Sequence, residues 1–204
     1  MACPAGNGGG DGVVRVNRAD DFLSKFLRDP EGIGAVAPAT LRLAQTVAKA
    51  TREAYRGLPP TPINHAAGPG AMPFPLFELG AGTGALTRAI SVLNPVLVER
   101  DERWAALLRQ QFPTLEVRAE CATDTLGSLT EPVGIVTSIP LLNNPQALQI
   151  KHLLARRYAE GLIKFCVLYT YGWSDPLKGA GFKRGVRRGF VARSLPPASV
   201  WVYQ

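Results

Sequence analysis

Apolar and polar positions along this chain follow two rhythms, and the change between them falls after a Pro/Gly-rich segment. Residues 17–28, NRADDFLSKFLR, place Ala19, Phe22, Leu23, Phe26 and Leu27 at i, i+3, i+4 spacing, which predicts a short amphipathic helix. Pro30 and Gly32 stop it, and 33–38 form a small-residue apolar connection. A second helix is predicted to about Arg56, with Thr40 as N-cap and Leu41, Ala44, Val47 and Ala48 as its stripe. Residues 57–75 hold six prolines and three glycines without periodicity, and read as a linker or exposed loop.

Beyond that loop, short apolar runs alternate with helical patterns. Strands are predicted at 74–79, 96–99, 115–119, 134–138 and 163–170. Helices are predicted near 84–93, near 101–112 (stripe Trp104, Leu107, Leu108) and from Asn144-Pro145 to about Tyr158. The runs 186–193 and 198–203, around Ser194-Leu195-Pro196-Pro197, read as a terminal hairpin. Strand–helix alternation implies an α/β fold with a mostly parallel sheet, helices on both faces and a C-terminal antiparallel hairpin. The organisation expected is a flexible tail at 1–16, the amphipathic helix and connection at 17–38, and one domain over 39–204.

Composition narrows this picture. The chain has 204 residues, 46% of them hydrophobic, which suits one domain and excludes a solvated coil. It has no apolar run of about 18 residues and begins without a charged n-region or apolar h-region, so the expected setting is the cytoplasm. Cys3, Cys121 and Cys166 are far apart and have no metal-ligand spacing, which argues against a zinc site and against a disulfide framework. The net charge of +7 sits in the last quarter: residues 151–204 carry ten Lys/Arg against Glu160 and Asp175, or +8, leaving −1 for 1–150. Such a segment fits an anionic partner, nucleic acid or lipid surface, and equally a solvated basic face.

The chemistry concentrates after the first strand of the alternating region. In Glu78-Leu79-Gly80-Ala81-Gly82-Thr83-Gly84 the glycines permit a tight turn and close ligand approach. Gly80-x-Gly82-x-x-Ala85 also fits the dinucleotide fingerprint. Glu78 favours a ligand bearing a cationic amine, since a carboxylate there repels a pyrophosphate. The pattern E-x-G-x-G-x-G resembles the first motif of S-adenosylmethionine-dependent methyltransferases. That resemblance implies a Rossmann-like class I methyltransferase domain and S-adenosyl-L-methionine as cofactor. Its pocket would take in Glu78, Gly80, Ala81, Gly82 and Gly84, with Glu99 and Arg100 ending the second strand. The two oxygens of Glu99 can accept both ribose hydroxyls; its alternative is a surface charge paired with Arg100 or Arg103. The adenine contacts fall at Glu120-Cys121-Ala122, where relatives show Gly-Asp-Ala. Cys121 removes the usual acceptor, which Glu120 or Asp124 would have to replace, or is a plain buried side chain.

Ser138-Ile139-Pro140-Leu141 ends the fourth strand, where base-methylating enzymes carry Asn or Asp and then an aromatic. Here Ser138 and Leu141 stand in those places. The pattern resembles bacterial phospholipid N-methyltransferases, whose signature is a small residue followed by Leu-Pro-Leu. Phe26-Leu27-Arg28 with Gly34-Ala35-Val36-Ala37-Pro38 is similar to that family's opening segment. Tyr169-Thr170-Tyr171-Gly172 with Asp175-Pro176, and Leu195-Pro196-Pro197-Ala198 with Val200-Trp201, are similar to two further segments that general methyltransferases lack. Departures are Cys121, Ile139 and the long loop at 57–75. The family is a branch of the ribosomal RNA adenine dimethyltransferase superfamily.

The resemblance implies methyl transfer to the amine of phosphatidylethanolamine, towards phosphatidylcholine, by an enzyme peripherally associated with the inner face of the cell membrane. Ser138, Pro140, Leu141 and Tyr171 would surround the acceptor, Tyr171 through cation–π contact unless it is a plain half-buried strand-end residue, and Arg187 and Arg188 would meet the lipid phosphate or else are plain surface charges. Phe22, Leu23, Phe26 and Leu27 would contact an anionic membrane surface; the alternative is that this helix packs on the core. A ribosomal RNA adenine methyltransferase, favoured by the basic C-terminal segment, is the first alternative. A catalytically silent lipid- or RNA-binding module is the second.

Overall fold

The computed structural model describes residues 38–58, 73–141, 147–182, 185–192 and 197–204. The predicted helix at 17–28, its membrane-contact residues, the tail at 1–16 and most of the Pro/Gly-rich loop lie outside the described residues.

Helix α1 (Pro38–Arg56) precedes strand β1 (Leu76–Leu79). Then follow α2 (Thr87–Ile90) with a 3-10 turn at Ser91–Leu93, β2 (Val96–Val98), α3 (Glu102–Gln111) and β3 (Val117–Arg118). Next come α4 (Ala122–Ser128), β4 (Val133–Thr137), α5 (Ala147–Ala159), β5 (Ile163–Tyr171), β6 (Val186–Val191) and β7 (Ala198–Tyr203). The seven strands order as β3-β2-β1-β4-β5-β7-β6. β1 to β5 are parallel, and β7 pairs antiparallel with both β5 and β6. This is the expected mixed sheet.

Period-2 alternation in β5 divides the core. Phe165 and Val167 pack with Val47, Ala50 and Ala54 of α1, and Tyr169 and Tyr171 join that side. Cys166 and Leu168 face the other way, towards Ile150 and Leu154 of α5. In α1 the stripe is broader than predicted, taking in Leu43, Ala50, Thr51 and Tyr55, while Leu41 is exposed. In α3 the buried pair is Ala105 and Leu108, and Leu107 is exposed, so only part of the predicted stripe faces the core. Phe74, placed in the first strand by its apolar neighbours, precedes it and stacks on Tyr55 at 5.2 Å.

Helix α1 begins at Pro38, so Thr40 lies within it rather than capping it, and two further elements differ from the sequence reading. The helix predicted over 84–93 is a four-residue α2 plus the 3-10 turn, because Asn94 at φ 50° ends it in the left-handed region. Helix α4 was not predicted. Arg157 of α5 closes its C-terminal end by donating Nε to the Leu126 carbonyl at 2.7 Å and another N–H to the Gly127 carbonyl.

Candidate functional site

The strand order reverses between β1 and β4, which opens a crevice at their carboxyl ends. The β1–α2 connection forms its floor. Gly80 and Ala81 both donate backbone N–H to the Val98 carbonyl, at 2.9 and 3.2 Å, and Gly84 donates to Ala81 at 2.9 Å. Gly82 donates to Glu99 Oε2 at 2.9 Å. These amides are committed to the fold, whereas a pyrophosphate cradle needs them turned outward.

Three glycines of the turn have positive φ, and their surroundings differ. A Cβ at Gly80 would meet Ile139 Cγ1 at 2.6 Å, and one at Gly84 would meet the Phe112 ring at 2.6 Å. At Gly82, φ 53°, the nearest atom to such a Cβ is the Gly80 oxygen at 4.0 Å. Gly84, expected in the cofactor pocket, is thus a packing glycine under Phe112. Gly82 borders open space.

Both strand-end acids are buried. Glu78 has no exposed surface; Thr87 Oγ1 donates to its Oε2 at 2.7 Å, and its Oε1 has no partner. Burial pushes the Glu78 carboxyl up to about 8, and the nearby Glu99 charge adds to the rise. Glu99, 8% exposed, accepts Gly82 N–H through Oε2 and Asp101 N–H, at 3.0 Å, through Oε1. Arg103 pairs with Asp101 rather than with Glu99, and Arg100 is exposed. Two buried acidic side chains flank an open glycine, and a cation placed between them favours the ionised form of Glu78.

At the end of β4, Ser138 N–H and Thr137 Oγ1 both donate to the Leu79 carbonyl, holding Ser138 beside the turn. Ser138, Ile139 and Pro140 are half-buried. Leu141, expected at the acceptor, is 4% exposed and packs in the core with Phe77, Ala147 and Ile150, so its side chain is a packing group. On β5, Tyr169 and Tyr171 stand edge to face with ring centroids 6.0 Å apart, on the same side of the sheet. Burial raises the pKa of both phenols; at Tyr169 the Tyr171 and Glu78 charges add to the rise and a hydrogen bond with Ser138 opposes it. Tyr169 thus stands near Ser138 and Glu78. The sequence offered Tyr169 only as part of a motif; its i, i+2 spacing from Tyr171 was the available signal.

The third strand contributes less. Glu120 accepts from Thr125 Oγ1 at 2.7 Å, Asp124 is exposed, and Ala122 is buried at the start of α4. Cys121 stands at the N-cap place of α4 in extended backbone. Arg187 lies over the Trp173 ring at 4.7 Å, and Arg188 lines a groove against α1. Both stand on the far edge strand, β6. Asp175 of the Asp-Pro segment accepts from Tyr203 Oη and Leu177 N–H, and Ser199 Oγ donates to the Gly172 carbonyl at 2.6 Å, so these motif residues fasten β7 to the end of β5.

No family model and no curated protein matches this chain. Among solved structures it is similar to the 23S rRNA methyltransferase ErmE, with TM-score 0.51 and 21% identity over 78% of this chain and 67% of that one. It is similar to 1,6-didemethyltoxoflavin-N1-methyltransferase from Burkholderia thailandensis, solved with 1,6-didemethyltoxoflavin and S-adenosylhomocysteine bound, with TM-score 0.52 and 13% identity over 95% and 92%. TrmN from Thermus thermophilus gives TM-score 0.55 and 17% identity over 89% of this chain and 53% of that one.

The chain has a Rossmann-like methyltransferase fold.

Within that fold, the crevice gathers Glu78, Gly80, Gly82, Glu99 and Ser138, with Tyr169 beside Ser138 and Tyr171 beside Tyr169. Leu141 and Gly84 lie in packing, and Arg187 and Arg188 at a different edge. No helix among the described residues is long and apolar enough to cross a membrane, and no group of three or more potential metal ligands occurs among them.

Proposed function

We propose that this chain is an S-adenosylmethionine-dependent N-methyltransferase that methylates the amine of phosphatidylethanolamine, towards phosphatidylcholine. The observation that carries the reading is the acceptor end of the crevice. Leu141 turns into the core on the α5 side, leaving Ser138 without an aromatic neighbour from β4, while on the α1 side of the sheet Tyr169 of β5 lies near Ser138 with Tyr171 beside it. A flipped base would lack the β4 stack and amide acceptor; a small ammonium suits two phenol rings.

The residues fit the cofactor. The unpartnered Oε1 of Glu78 can accept from its amino group, Glu99 retains lone pairs for ribose hydroxyls, and Gly82 leaves room beside them. When bound, S-adenosylmethionine supplies an electrophilic methyl group on a sulfonium. The chain's own contribution is mainly to position the acceptor. The acceptor ammonium must first lose a proton to expose its lone pair. Tyr169 and Tyr171 stay protonated at neutral pH because burial raises both, so they offer ring faces and hydroxyl oxygens rather than a base. The proton then leaves to the lipid's own phosphate or to water.

The test is incubation with methyl-labelled cofactor and either phosphatidylethanolamine vesicles or ribosomal RNA. Label is expected in the lipid extract. Label in RNA alone overturns the reading, and label in neither, with no cofactor binding, leaves a silent module. Tyr171→Phe is expected to act mildly. Tyr171→Ala should lower turnover roughly 2- to 30-fold, the range of a cation–π contact of ~0.5–2 kcal/mol.

A further inference from the structure

Beyond the crevice, an exposed aromatic pair stands at the edge strand β6. Trp173, two residues past β5, is 62% exposed, and Phe190 is 38% exposed; their rings stack at 4.2 Å. Arg187 lies 4.7 Å from the Trp173 ring and 6.0 Å from Phe190. Phe190 also borders a groove of about 520 Å³ between α1 and β6, lined by Arg42, Gln45, Thr46, Lys49 and Arg188 with no carboxylate.

The groove follows from the sequence. Arg42, Gln45 and Lys49 recur at i, i+3, i+7 on α1, which puts them on one face. A Cβ at Gly189 would sit 2.4 Å from Thr46 Cγ2, so the glycine lets β6 close on the helix. The register shifts between Arg187 and Gly189, and this bulge turns Arg188 towards the groove. Edge arginines alone also protect a sheet from pairing with another. That role does not account for a stacked Trp and Phe left exposed beside them.

We propose that Trp173, Phe190 and the Arg42–Lys49–Arg188 groove form a docking face for an anionic phospholipid bilayer. The inference rests on the phospholipid reading above. Trp and Phe suit the membrane interface, and the cations face acidic headgroups. Position agrees as well. Val191 pairs with Ala198, which pairs with Tyr171, so the face begins two strands from the acceptor tyrosines.

The full chain is mixed with phosphatidylglycerol–phosphatidylcholine vesicles, and tryptophan emission and co-sedimentation are followed. A shift to shorter wavelength is expected, and its loss in Trp173→Ala. The double variant Arg42→Gln/Lys49→Gln should bind these vesicles about tenfold or more weakly, while pure phosphatidylcholine discriminates little. Methylation of a short-chain, monomeric phosphatidylethanolamine should be unchanged in both variants. Equal vesicle binding by parent and variants overturns the docking face. So does a variant that keeps vesicle binding but loses affinity for a single-stranded RNA oligonucleotide, or competition by millimolar inorganic phosphate. If the parent methylates no phospholipid, monomeric or in vesicles, the substrate reading fails, whatever the binding shows.

Discussion

At Glu78 a fully buried carboxyl keeps one oxygen on Thr87 and the other without a partner. Its pKa stands near 8 in the folded chain against 4.5 when exposed, mainly through burial. Between those values the folded protein holds a proton that the unfolded chain has released. The stability contributed by this group is therefore fully present below about 4.5 and is lost as pH rises through about 8. Without cofactor, the parent's thermal midpoint should fall from pH 5 to pH 8, and Glu78→Gln should flatten that fall because its amide does not titrate. An identical slope in both proteins would refute the assignment. A cation in the crevice reverses the preference and favours ionised Glu78. Cofactor binding at pH 7 should then release about one proton, read by calorimetry in buffers of different ionisation enthalpy. Release should vanish in Glu78→Gln.

The connection between β1 and α2 shows how neighbouring glycines can carry different loads. Gly84→Ala adds a Cβ 2.6 Å from the Phe112 ring at φ 75°, so it should lower stability by ~1–3 kcal/mol. Gly82→Val projects into open space, and should abolish cofactor binding beyond what backbone strain costs the fold. Thermal melts and calorimetry on both variants separate the effects; undiminished cofactor affinity in Gly82→Val would sink its placement in the pocket. The sequence showed three equivalent glycines because their difference lies in Phe112 and Ile139, residues far along the chain. The same limit recurs elsewhere. The strand–helix alternation was legible because period-2 and period-3.6 patterns are local, so a strand was read at each of the seven places, whereas their order across the sheet was not. Helix α4, ATDTLGS, was not legible: it is short, holds Thr, Asp and Gly, and depends on Arg157 for its end. Leu141 read as an acceptor residue by its position in a motif, whereas its burial is decided by packing against Phe77 and α5. Tyr169 comes to stand near Ser138 and Glu78 through an alignment of strands that only the sheet register reveals.

Across the whole molecule, charge is divided between two environments with different exposure to salt. The crevice acids Glu78 and Glu99 are buried, whereas Arg42 and Lys49 lie open on α1. The basic surplus of the last quarter is partly spent within the fold: Arg156 and Arg157 both bind Glu160, and Arg157 also caps α4. The cations of the groove have no such acid among its lining residues, although Lys49 approaches Glu53 at 3.9 Å. Screening shortens the Debye length from about 10 Å at 0.1 M salt to about 3 Å at 1 M, and acts on exposed charges far more than on buried ones. Raising salt through this range should therefore weaken association with anionic vesicles steeply, while cofactor affinity changes little. In turnover, KM for vesicle-borne phosphatidylethanolamine should rise with salt, while kcat, and both constants for a monomeric short-chain substrate, stay nearly level. A KM equally salt-sensitive for the monomeric substrate would place the decisive charges in the crevice rather than on the β6 edge.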